Sequence, residues 1–278
     1  GARAESRRRL ARLAAPADPG RAAEEWQKLL DLVPDDPEAL EALTALRRGP
    51  ADAGPLAQVL RRRLAIEEDG ERRAALLAEL AEAQERAGDV AGAAASLRRL
   101  VEARPQDRGA LARLGALCER GERWGELAEV LGREAAVADA AGDADGAVAL
   151  RERLAVLRET RLLDREGALS LSEEILARRP DHRAALERLE AMLGRDPGNV
   201  RAAQALERAH AATGTWDRHA AALEARAAGR PDPLERKTLF VQLAGVQEKR
   251  LGSPEHAFLA LARALREDPA DGVVRDEL

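Results

Sequence analysis

The chain of 278 residues is long enough for two ordinary domains, but Ala (62) and Leu (42) make up over a third of it, against three Trp, two Phe and no Tyr. Ala and Leu lead the helix propensities and strand-favouring residues are scarce, with only two Ile, so a β-rich fold is excluded. The formal charge of −5 and a pI near 5.7 supply no global basic field to hold a phosphate backbone, so nucleic acid is excluded as the default ligand.

Apolar spacing and capping residues predict helices near 3–14, 19–32, 37–48, 55–68, 71–87, 90–103, 107–120, 124–139, 145–162, 165–178, 182–193, 199–213, 216–228, 234–250 and 254–266, about 15 in all. Prolines punctuate them at Pro34, Pro105, Pro180, Pro197 and Pro269, separated by 71, 75, 17 and 72 residues. A unit of 70–75 residues, two helical hairpins long, therefore recurs with one extra 17-residue step, and 194–199 is the expected local irregularity.

Aligned on Pro34, Pro105, Pro180 and Pro269, the same physical roles recur in phase. Twelve residues upstream stands Ala (Ala22, Ala93, Ala168, Ala257), which permits close helix approach. Sixteen upstream stand the capping types Asp18, Asp89, Asp164 and Ser253. Four upstream the position is apolar: Leu30, Val101, Leu176 and Leu265. Beyond the prolines, Asp36, Asp107, Asn199 and Asp271 are placed to cap a following helix, and Trp124 and Trp216 open its partner, with Ala53 in the corresponding place of the first unit. Trp26 lies inside a different helix.

Leu111, Leu114-Gly115 and Cys118 resemble the first helix of the tetratricopeptide repeat (TPR), and Ala93, Leu97 and Pro105, or Ala257, Leu261, Ala264 and Pro269, resemble its second helix and closing turn. Ser172 and Trp26 depart from the pattern by replacing the second-helix hydrophobe, so the chain resembles a divergent bacterial TPR array. That resemblance implies an all-α, right-handed α-solenoid of antiparallel hairpins over 1–278, and a non-enzymatic scaffold or adaptor binding a peptide or partner protein on its concave face. The alternative is a structural spacer within a larger protein, without a groove ligand.

Carrying the family's groove positions across gives Arg86, Arg120, Arg153, Arg161, Arg201, Gln204, Arg208, Gln242 and Arg250 as candidate partner-binding residues. Arg86, Arg120, Arg161 and Arg250 recur at the end of a first helix, where guanidinium groups suit carboxylates of an acidic partner. The same placement also complements the helix dipole.

Other chemistry is sparse. Cys118 lies in phase with Leu111 and Leu114 as a buried thiol, and a lone cysteine points to no disulfide and to a cytoplasmic setting. The four histidines lack metal-ligand spacing, and Asp143-Ala-Asp145-Gly146 reads as a cap turn, not a calcium loop. Neither a cofactor nor a membrane span is expected. Charged runs such as Arg61-Arg62-Arg63 read as solvated faces paired three or four residues apart. Arg275–Leu278 falls where a helix after Pro269 begins. The chain reads as a fragment of a longer array, and its terminal hairpins as candidates for self-association.

Overall fold

The computed structural model describes residues 1–49 and 52–278; residues 50 and 51 lie outside the described set. It divides into two compact units, Gly1–Val137 and Ala138–Leu278. The described residues form sixteen α-helices and no strand.

In the first unit run α1 (Ala2–Ala14), α2 (Pro19–Leu32), α3 (Pro37–Leu46), α4 (Ala53–Ile66), α5 (Gly70–Arg86), α6 (Val90–Ala103), α7 (Arg108–Arg120) and most of α8 (Trp124–Ala140). The second holds α9 (Ala144–Thr160), α10 (Arg165–Arg178), α11 (Arg183–Arg195), α12 (Val200–Thr213), α13 (Trp216–Ala228), α14 (Pro233–Lys249), α15 (Pro254–Glu267) and α16 (Gly272–Glu277). Within each unit, helices pack chiefly on their sequence neighbours, as in a stacked array. The helix α16 extends the expected fifteen at the place anticipated after Pro269. Four helices have bounds that shift by two residues: α3 stops at Leu46 against the expected 48, α4 runs Ala53–Ile66 against 55–68, α9 stops at Thr160 against 162, and α11 continues to Arg195 against 193. The end of α4 is held by Arg73, whose Nη1 donates to the carbonyls of Leu64 (3.1 Å) and Glu67 (2.6 Å).

Two turn types connect most helices. Before each of the five phased prolines, the residue closing the helix is extended (φ −130 to −142°), as a residue preceding proline must be. Two residues past the proline, the N-cap amide donates back across the turn, for example Asp107 N to Arg104 O (3.1 Å) and Asn199 N to Asp196 O (3.1 Å). The other turn contains one left-handed residue: Gly88, Glu122, Gly142, Leu163, Gly214 or Gly252. At Gly88 it is a Schellman closure, with Asp89 N donating to Gln84 O (2.8 Å) and Gly88 N to Glu85 O (3.1 Å). Asp89 then caps α6 by accepting from Gly92 N (2.9 Å), so one residue closes a helix and opens the next. Gly92, Gly146 and Gly167 keep the third helical position clear, because a Cβ there would overlap the capping carboxylate.

The predicted caps hold at Asp18, Asp36, Asp89, Asp107, Asp164, Asn199 and Asp271, each accepting from backbone amides. Ser253 differs, since its hydroxyl pairs with His256 Nδ1 (2.7 Å) and no side-chain cap forms. The phased alanines Ala22, Ala93, Ala168 and Ala257 are all buried. Ser172, one of the departures from the repeat pattern, is fully buried and satisfied: its Oγ donates to Ala168 O (2.9 Å) and accepts from Arg188 Nη1 (3.2 Å).

Charged faces pair within a helix at the expected three or four residues, as Lys28 does with Glu25 (2.8 Å) and Arg183 with Glu187 (2.6 Å), and they also pair between helices. Arg61 pairs with Asp89 (3.0 Å), Glu85 with Arg113 (3.0 Å), Arg98 with Glu126 (2.6 Å) and Glu173 with Arg201 (2.6 Å), each 28 residues apart. Each pair joins a helix, or the cap residue just before it, to the element two places along, because alternate helices of a stacked array lie side by side. That partner lies outside the window a single-helix reading searches.

Candidate partner-binding surfaces

The left-handed turn explains the phase of the predicted arginines. Arg86, Arg120, Arg161 and Arg250 each stand three residues before the residue that precedes the next helix, at the carbonyl end of the helix they close, and all four are exposed. There their charge complements the dipole. Arg161 and Arg250 close α9 and α14 from just outside the helices predicted to contain them. The guanidinium of Arg250 lies over the Trp216 ring, 4.7 Å from its centroid, and Trp216 meets His219 edge-on at 5.6 Å.

The remaining candidates do not converge on one site. Arg153 and Gln242 are exposed on α9 and α14. Arg201, Gln204 and Arg208 share α12, but Arg201 is committed to α10, donating to Glu166 (2.9 Å), Glu173 (2.6 Å) and Ser170 Oγ (3.1 Å). Arg208 contacts its own helix, Nε donating to Gln204 O (3.3 Å).

The structure does form a groove beside Arg208. The prolines Pro180 and Pro197, 17 residues apart, place two proline turns in succession, and α10 contacts both α11 and α12. Between α10 and α12 lies an open groove of about 440 Å³ with Leu176, Ala205 and Ala209 among its lining residues. Ala177, Ala212 and Pro180 also line it, and Glu173, Glu174 and Arg208 supply its charges. Glu173 is already paired with Arg201, and Glu174 with Arg151 (2.9 Å). Sequence reasoning found Arg208 and the irregular step, but missed the α10 wall, because which helices face each other across the step depends on packing.

Elsewhere, polar groups serve the fold. Arg151 donates to Asp139 and Glu174 and holds the Asp139 carboxyl below its ordinary range. Cys118 is buried, and burial raises its thiol pKa. Asp143 caps α9 by accepting from Gly146 N (2.9 Å), as the cap-turn reading expected. The described residues contain no group of three His, Cys, Asp or Glu placed to hold a metal, and no helix long and apolar enough to cross a membrane.

Hairpins closed by left-handed turns, proline turns between them and phased small residues at their seams define an all-α array of tetratricopeptide-like helical hairpins. No family model and no curated protein matches the chain. Among solved structures, it is similar to a tetratricopeptide repeat protein from Parabacteroides merdae (13% identity, 99% of this chain and 97% of that one, TM-score 0.38). It is also similar to YrrB, described as a TPR protein with an unusual peptide-binding site (20%, 64% and 87%, TM-score 0.37), and to the TPR2AB domain of yeast Sti1 in complex with pHSP90 (16%, 95% and 99%, TM-score 0.32). At these identities and TM-scores the likenesses carry no argument about ligands.

Proposed function

We propose that the chain is a non-enzymatic protein–protein interaction scaffold that receives a peptide segment of a partner in the groove between α10 and α12. The observation that carries this reading is the groove itself: small side chains let a partner backbone approach closely, and Arg208 stands in it without a carboxylate among the described residues. The matching segment has a small apolar side chain beside an Asp or Glu that pairs with Arg208, so the acidic preference expected from several arginines is concentrated here on one.

The test is selection of peptides from a random library against the intact chain, followed by titration with Ala212→Trp and Arg208→Glu variants. Both substitutions are at exposed positions and preserve helicity. Selected peptides carry a carboxylate and lose at least about tenfold in affinity against each variant, equivalent to about 1.4 kcal/mol. Failure to select peptides, or equal binding by Ala212→Trp, overturns the proposal. A spacer without a groove ligand is the second reading, favoured by the ion pairs that tie alternate helices together, and an unoccupied groove in this experiment supports it.

A further inference from the structure

On another flank of α12 a second cavity, of about 430 Å³, opens between α11 and the turn joining α12 to α13. Its lining residues include His210, Thr213 and Thr215, with Leu186 from α11. His210 is only 3% exposed. Its Nδ1 is held by Thr215 Oγ1 (2.9 Å), and Thr215 Oγ1 meets Thr213 Oγ1 (2.9 Å), which leaves Nε2 without a hydrogen-bond partner among the described residues. Burial lowers the pKa of His210 below its ordinary value, so the ring is neutral at pH 7 and adds no positive charge to the cavity.

Charge accounts for the rest. Asp181, Glu187 and Glu190 line the cavity against two guanidinium groups, Arg183 and Arg218. Arg218 bridges Glu190, and Arg183 meets Glu187 at 2.6 Å. The second pair is weak, because the Arg183 side chain is 90% exposed and its partner lies on the same helix. Asp181 has no ion-pair partner among the described residues. The cavity therefore carries surplus negative charge beside an apolar side chain and unfilled hydrogen-bonding capacity.

We infer that this cavity takes the basic side chain of an arginine or lysine from a bound protein segment. The aliphatic stem lies along Leu186, as long cationic side chains commonly cover apolar surface. The cationic head pairs with Asp181 and Glu187, displacing Arg183 into solvent, and the His210–Thr213–Thr215 cluster lines the space it enters. An anionic side chain is disfavoured by the same surplus of carboxylates. The inference rests on the scaffold reading for the source of the ligand, but the cavity and its chemistry are independent of the α10–α12 groove.

The experiment is an NMR titration of the full chain with Nα-acetyl-arginine amide, with Nα-acetyl-glutamine amide and Nα-acetyl-glutamate amide as neutral and acidic comparisons. Resonances of the His210 ring and the Thr213 and Thr215 amides report the cavity. Saturable shifts with the arginine amide, at least about tenfold weaker in Asp181→Asn/Glu187→Gln and unchanged in Ala212→Trp, are expected. Both acidic positions are exposed, so the double variant folds. Absence of saturable shifts, equal binding of the glutamate amide, or binding unchanged in the double variant overturns the inference. Because Ala212→Trp blocks only the neighbouring groove, failure of peptide selection there leaves this result readable by itself.

Discussion

Arg188 on α11 donates to both carboxylate oxygens of Glu152 on α9, 36 residues earlier in the chain. The Arg188 side chain is only 7% exposed, and the same guanidinium also reaches Ser172 Oγ (3.2 Å) and Glu159 (3.3 Å). A single charge thus ties α9, α10 and α11 together at the irregular step. Removing one partner leaves buried charge with fewer counterions. Glu152→Ala is expected to cost about 2–4 kcal/mol, whereas the paired replacement Arg188→Met/Glu152→Leu costs less than either single change. Urea unfolding of the three variants checks this, and additive losses would refute it.

Glu122 and Leu163 occupy left-handed positions, with φ of 52° and 54°, where four equivalent turns use glycine. Leu163 is 78% exposed, so shortening it forfeits little packing. A non-glycine residue in this region is strained by about 1–2 kcal/mol, partly offset by the greater freedom glycine has in the unfolded chain. Leu163→Gly and Glu122→Gly are each expected to stabilise by about 0.5 kcal/mol, and Gly88→Ala and Gly142→Ala to destabilise by about 1 kcal/mol or more. Thermal melts that rank the four variants otherwise would contradict the turn assignment.

His210 gives the fold a defined acid sensitivity. Burial holds its folded pKa below the ordinary 6.5, so the unfolded chain takes up the proton more readily. The associated stability is fully present above about pH 6.5 and is lost as pH falls through the lowered folded value. Glu25, Glu38 and Asp139 are lowered by their basic partners, and their contributions fade only at more acid pH, below the ordinary carboxylate values of 4.5 and 3.8. Urea midpoints measured from pH 8 to 5 should decline in the wild type and decline less in His210→Gln; identical slopes would remove the assignment.

Cys118 is a sensitive reporter of unfolding. It is fully buried and its thiol pKa is raised by that burial, so the thiolate needed for attack on a disulfide reagent is scarce in the folded chain. Thiol titration at pH 8 should show no fast reaction in buffer and one equivalent in denaturant, and a fast native phase would place Cys118 at the surface.

Ala-rich composition, phased prolines, capping aspartates and alternating small and large apolar positions depend on interactions over a few residues, so hairpins, caps and most helix bounds were legible in the sequence alone. Asp89 shows why: its capping partner, Gly92 N, is three residues away. What the folded structure alone decided lies across the stack. Arg201 is committed to Glu173, Arg250 covers Trp216, and the buried Ser172 is matched by Arg188, none of which follows from position along one helix. The two cavities flanking α12 have the same origin. Local periodicity specifies which face of each helix is apolar, while the helices that meet across a seam, and therefore which charges are already neutralised and where space remains, are set by packing between segments far apart in the chain.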